Sequence, residues 1–250
     1  KISKFINKKF NTDFRNNTLS AKVRTGQLTR EEAWKEYNTE PHLESDLLDY
    51  FKNDKGIVLL NPIGDRYYKH LQKNNDELII SYLGRLNLSK GVEMLINSFN
   101  TYSIKNPKSN LKLQIAGSGN QVHLIEKLIK NKTSINFLGN LSYDKVDGYL
   151  KSGHFTIIPS KIDNLPTVGI ESIMNGIPLL ISNTTGLTTY LSDSYDCFKF
   201  EANEKAIEQL FNKVESSEHL ILKMSKNARN TYLEKFSIEK YCKSFENLIT

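Results

Sequence analysis

From residue 57 onward, short apolar runs recur along the chain at 57–60, 78–83, 111–116, 135–138, 155–158 and 178–182. Between them, apolar residues fall at helical spacing over 92–102, 121–130, 143–151 and 168–175. A run of four to six apolar residues is too short for a core helix and suits a strand buried on both faces. Strands alternating with helices read as βα units, and right-handed crossovers then put helices on both faces of a parallel sheet. The predicted fold class is therefore α/β. The tail carries three further helical patterns, at 204–214, 219–235 and 237–248, with Ser237 placed to cap the last. The aromatics there (Phe211, Tyr232, Phe236, Tyr241 and Phe245) read as packing residues rather than as a ligand box.

With 250 residues, 38% of them hydrophobic, the chain can bury one large α/β core or two small ones. Its formal charge of +6 suits an anionic partner. Acidic residues interleave almost everywhere, however, and no Lys/Arg block stands apart with aromatics. Nucleic acid is therefore not an expected partner, and most lysines read as a solvated surface. Cys197 and Cys242 lack metal-ligand spacing and are expected to be buried small hydrophobes in a reducing cytosol, not a disulfide. No run approaches the ~20 apolar residues of a membrane span, and no signal-peptide core is visible near the start. The chain opens on Lys1 rather than Met, so upstream residues are expected.

In an open α/β sheet, ligands bind beyond the carboxyl ends of the strands. The loop after 78–83 reads Gly84-Arg85-Leu86-Asn87-Leu88-Ser89-Lys90-Gly91. Gly84 lets the backbone leave the strand close to a ligand. Arg85 and Lys90 supply a planar fork and a point charge able to hold a diphosphate, or else two cations that simply face water. The loop after 111–116, Gly117-Ser118-Gly119, suits either a close approach to phosphate or a tight turn, and lacks the third glycine of a dinucleotide fingerprint. Gly139-Asn140-Leu141 can offer backbone groups to a nucleobase. The richest loop runs from Pro159 to Glu171. Pro166 and Thr167 mark a helix start whose free N–H groups favour an anion. Asp163 precedes that helix and Glu171 lies about one turn into it, so two carboxylates can flank one pocket. A carboxylate accepting two hydroxyl hydrogen bonds can read a ribose or a sugar. The alternative leaves Asp163 a loop or cap residue and Glu171 a solvated helix position.

Taken together, Gly84-Arg85-Leu86 with Lys90-Gly91, Gly117-Ser118-Gly119, Gly139-Asn140, Pro159-Ser160, Asp163 through Glu171, and Gly176-Ile177-Pro178 resemble, in order and spacing, the C-terminal domain of family 4 glycosyltransferases. Asn61-Pro62-Ile63 looks like the start of that domain. The resemblance covers about 57–250 and implies a Rossmann-like sheet forming one half of a GT-B fold. It further implies that Arg85 and Lys90 bind the donor diphosphate and stabilise the departing nucleotide. Asp163 would contact the transferred sugar, and Glu171 the ribose. Asn164, Leu165, Pro166 and Thr167 would wrap the sugar and phosphate, with Gly84, Gly117 and Gly119 in the donor site and Asn140 and Leu141 at the base. Asp163 stands where the family more often has Glu, which leaves the identity of the sugar open. The implied reaction moves a sugar from a nucleotide-sugar donor to a saccharide or lipid-linked saccharide acceptor with retention, without metal or cofactor. The implied setting is surface polysaccharide biosynthesis in the cytoplasm, or at the inner face of the cytoplasmic membrane through peripheral association. The alternative is a donor-binding domain that grips nucleotide-sugar without transferring it.

Residues 1–56 read as a separate helical segment. Thr29 and Glu32 form a capping box within Thr25-Gly26-Gln27-Leu28-Thr29-Arg30-Glu31-Glu32-Ala33. The stretch 15–56 resembles the C-terminal tail of N-acetyl sugar amidotransferases. It omits that family's ATP-binding loop, so no amidotransferase activity is implied. This layout suggests a junction of two neighbouring reading frames, or a deletion joining them.

Overall fold

The computed structural model describes residues 31, 60–67 and 77–249. All but Glu31 belong to the compact unit Leu59–Thr250. Apart from Glu31, the predicted helical segment over 1–56 lies outside the described residues, as do its capping box and most of the run at 57–60. Leu60 itself is in no strand.

Six parallel strands form one sheet: β1 (Leu78–Leu83), β2 (Leu111–Ala116), β3 (Ile135–Phe137), β4 (Phe155–Ile158), β5 (Leu179–Ser182) and β6 (Cys197–Phe200). Their order is β3-β2-β1-β4-β5-β6. All four residues of β4 and of β5 are buried, as strands covered by helices on both faces must be. β5 begins after Pro178, which has no N–H to give to a ladder, although its carbonyl accepts from Thr156 N at 3.1 Å. β6 is absent from the sequence expectation because Lys199 interrupts its short run, Cys-Phe-Lys-Phe.

Side chains alternate across the sheet with period two and so build two cores. Leu180 and Phe198 point into one, with Phe99 and Tyr102 of α1 (Val92–Lys105) and Phe211 of α5 (Glu204–Ser216). Phe211 meets the rings of Phe99 and Tyr102 edge-on at 5.3 and 5.4 Å. Leu179, Ile181 and Cys197 point into the other, against Ile170 and Ile173 of α4 (Thr167–Met174) and Tyr232 of α6 (Ile221–Lys235). The helices α2 (Val122–Ile129), α3 (Tyr143–Ser152) and α7 (Ile238–Ile249) complete the set described. Ser237 Oγ accepts from Lys240 N at 3.2 Å, which matches the expected cap of α7.

Two expectations change. Cys197 is buried but Cys242 is exposed on the outer face of α7; both thiols are free. Phe245, expected to pack, is 46% exposed and stacks on Tyr241. The segment 60–67 is bound to the end of α6: Ile63 N donates to Phe236 O at 3.1 Å and Tyr232 Oη to Ile63 O at 2.6 Å. Arg229 forms a two-pronged ion pair with Asp65, whose carboxyl is held below the usual range chiefly by that hydrogen bond.

Truncating Phe211 should test the α1–α5 layer. We expect Phe211→Ala to lower unfolding free energy by about 3–5 kcal/mol in urea titrations, the cost of emptying a fully buried aromatic site. A loss below about 1 kcal/mol would mean that the layer does not stabilise the fold.

Candidate functional site

Strand order reverses between β1 and β4, so the loops leaving these neighbours diverge and open a crevice at their carboxyl ends. The β1 loop is fastened on two sides. Toward β2, Leu86 N donates to Ser118 O (2.8 Å) and Gln121 N to Leu86 O (3.0 Å). Toward β4, Lys161 N donates to Ser89 O (2.9 Å), and Gly91, at φ 71°, packs so closely that a Cβ there would lie 2.1 Å from Pro159 O. Within the loop, Leu88–Lys90 makes a 3-10 turn whose start is capped by Asn87 accepting from Lys90 N at 3.1 Å.

The resulting cleft has a volume of about 410 Å³. Of the residues singled out in the sequence, Gly84, Arg85, Lys90, Asp163, Leu165, Pro166, Thr167 and Glu171 line it. Gly117, Gly119, Asn140, Leu141 and Asn164 do not. The two glycines pack against neighbouring backbone: a Cβ on Gly117 (φ 143°) would lie 1.9 Å from Gly84 O, and one on Gly119 would lie 2.3 Å from Leu86 O. Asn140 is exposed past β3, two strands away from β1, while Leu141 packs on the small cluster of Ala116, Val146, Tyr149 and Leu150. Asn164 turns its backbone carbonyl onto Gly186, where a Cβ would come within 2.2 Å.

Lys90 Nζ donates to Asp163 Oδ2 in an ion pair, with Ser160 Oγ 3.5 Å from the same oxygen. Arg85 is exposed, and its carbonyl accepts from Tyr82 Oη at 2.8 Å. Burial, reinforced by Asp163, drives the Tyr82 hydroxyl well above its ordinary pKa and keeps it a neutral donor. α4 starts at Pro166 with no side-chain cap, so the first-turn N–H groups of cleft-lining Thr167 and Val168 are available to a ligand.

Glu171 is largely buried, its side chain as little exposed as that of Asp163. Burial raises its pKa, the Arg66 guanidinium 3.3 Å from Oε1 opposes the rise, and Asp147 adds to it. Asp147 is itself partly buried, yet hydrogen bonds from Arg66 and Asn175 outweigh that burial and hold its carboxyl below the usual range. Arg66 and Asp147 were not legible as site residues. They lie 81 residues apart, and Arg66 lies 105 residues from Glu171, so no local pattern joins them.

Residues 65–231 match the family model of glycosyl transferases group 1. The chain belongs to that family. Residues 3–58 match a second family, the C-terminal domain of LPS biosynthesis protein WbpG-like proteins. An uncharacterized glycosyltransferase of Methanocaldococcus jannaschii is 27% identical over 178 residues, which is 70% of this chain and 45% of that protein. The capsular polysaccharide biosynthesis glycosyltransferase CapM of Staphylococcus aureus is 25% identical over 193 residues, 75% of this chain and 49% of its own. The chain spans about half the length of the curated relatives it matches. Staphylococcus aureus TarM, solved in a complex containing UDP, superposes with a TM-score of 0.62 at 18% identity over 82% of this chain and 42% of its own. The donor-binding half of a GT-B glycosyltransferase is thus the fold present here. Among the described residues, no helix is long and apolar enough to cross a membrane.

The two glycine environments separate cleanly by mutation. Gly117→Ala should cost more than about 1 kcal/mol in urea unfolding, because its Cβ has no room beside Gly84 O. Gly148→Ala, exposed within α3 with nothing within 4 Å, should instead stabilise by about 0.4–1 kcal/mol. Equal effects at the two positions would contradict the loop-packing role of Gly117.

Proposed function

We propose that the β1–β4 cleft binds a nucleotide-sugar and that the protein transfers its sugar to an acceptor hydroxyl with retention, in surface polysaccharide biosynthesis. One observation carries this reading. Cations from the β1 loop, a carboxylate from the β4 loop and an uncapped helix start converge on one cleft at the strand-order reversal. The diphosphate lies between Arg85, Lys90 and the first turn of α4. The transferred sugar lies against Asp163, and the ribose hydroxyls bond Glu171. As the bond from the anomeric carbon to the phosphate oxygen breaks, its electron pair leaves with the nucleotide. Fixed cations stabilise that developing charge, at about 10²–10³ in rate for each well-placed group.

TarM, solved with UDP, supports a nucleotide ligand for this fold, and the printed role of CapM supports a polysaccharide setting. The acceptor on this reading is a saccharide or lipid-linked saccharide. The net charge of +6 favours peripheral contact with an anionic membrane face, at the cytoplasmic side where nucleotide-sugars are made. A second reading is a domain that grips nucleotide-sugar without turnover. It predicts the same binding with neither transfer nor hydrolysis.

Thermal unfolding with UDP, GDP, ADP and their sugar conjugates tests the proposal. A ligand at a hundredfold excess over its Kd should add about 2.7 kcal/mol, or roughly 5–10 °C in Tm. We expect one nucleotide to give this shift and Arg85→Ala, Lys90→Ala and Glu171→Ala each to lose most of it. A cooperative melt unmoved by every nucleotide would refute the donor site.

A further inference from the structure

We infer that Arg66 is the positioning residue for Glu171, occupying one carboxylate oxygen and leaving the other to the nucleotide ribose. The inference rests on the donor-site reading above and adds a residue to it. Glu171 lines the cleft whereas Arg66 does not, so Arg66 acts only through Glu171. Its Nη2 lies 3.3 Å from Glu171 Oε1.

Arg66 is held on its other sides. Nε donates to Asp147 Oδ2 at 2.8 Å and Nη2 to Asp147 Oδ1 at 3.3 Å, a two-pronged pairing. Nη1 donates to Tyr143 Oη at 2.8 Å, and the guanidinium sits 5.1 Å from the centre of the Tyr143 ring. Asp147 Oδ1 also accepts from Asn175 Nδ2 at 2.9 Å. That same amide donates to Glu171 O at 2.9 Å, which closes a ring of contacts back onto the backbone of Glu171. The segment carrying Arg66 is anchored at Ile63 and Asp65 to α6. The guanidinium is thus fixed before any ligand arrives.

Glu171 needs such a partner. Its side chain is 15% exposed, and burial favours the neutral carboxyl, which can accept only part of the hydrogen bonding that a ribose diol offers. Asp147 on α3 pushes the same way, and Arg66 is the cation that opposes both. On the cleft side Glu171 shares its walls with Arg85, Lys90, Asp163 and Tyr82. A lysine at position 66 would supply charge but not the fork that spans Asp147 and Glu171 together.

Calorimetric titration tests this, using UDP, its 2′,3′-dideoxy analogue and inorganic pyrophosphate with the full chain, from about pH 5 to about 8. In Arg66→Ala we expect UDP to weaken about tenfold or more while pyrophosphate affinity holds, so that preference for UDP over the dideoxy analogue collapses. The pH below which UDP affinity falls should move upward, because Glu171 has lost its cation. Arg66→Lys should restore part of the pH shift and little of the preference. In a Glu171→Gln background, Arg66→Ala should change the preference no further. An unchanged preference and pH profile, or equal losses for UDP and pyrophosphate, would overturn the inference while leaving the donor site standing. If the unaltered protein bound neither UDP nor pyrophosphate, the donor-site reading and this inference would fall together. Circular dichroism confirms that each variant is folded, and Arg66→Gln replaces Arg66→Ala if the latter is not.

Discussion

The close backbone contact between the β1 and β4 loops is the constraint on which the site depends. Two adjacent parallel strands whose chains turn to opposite sides would leave an open gap at their ends. Here the gap is bridged: Gly91 lies against Pro159 O with no space for a Cβ, and Lys161 N donates to Ser89 O. That bridge brings Lys90 beside Asp163, 73 residues away in sequence. On the opposite flank, Gly117 and Gly119 let the β2 loop slide under Gly84 and Leu86 and set where the strand-end backbone lies. The course of the loops bordering the cleft is thus set by glycines packed against neighbouring backbone.

Upon this frame the charges form two groups. One is the Lys90–Asp163 pair of the β1 and β4 loops; the other is Glu171, whose side chain is as buried as that of Asp163 and is held by Arg66. The ionisation of Glu171 reflects desolvation, opposed by Arg66 and reinforced by Asp147. α4 starts without a side-chain cap and carries Glu171 itself, so one rigid element sets the spacing between its first-turn N–H groups and that carboxylate.

Much of the sheet was legible because strands buried on both faces must be continuous apolar runs. The ranges expected for β1, β2 and β4 coincide with the observed strands, and β3 and β5 differ by one residue. β6 was missed because Lys199 breaks a run of only four residues. Within the candidate site, local motifs revealed what lies on one loop: Arg85 with Lys90, and Asp163 with Glu171, all of which line the cleft. They did not reveal that Gly117 and Gly119 pack against the backbone of Gly84 and Leu86. Nor could they show that Asn140 follows the edge strand β3, since strand order is invisible in a one-dimensional pattern. Arg66 and Asp147 escaped for a related reason, being joined to Glu171 only by the tertiary fold.

The most direct test of the account is an experimental structure of this chain with UDP bound. The account predicts the diphosphate between Arg85 and Lys90 at the start of α4, the Lys90–Asp163 contact opened, and the ribose on the carboxylate oxygen of Glu171 that Arg66 does not hold. A nucleotide seated away from the β1–β4 cleft, or one bound there with its diphosphate remote from both Arg85 and Lys90, would contradict it.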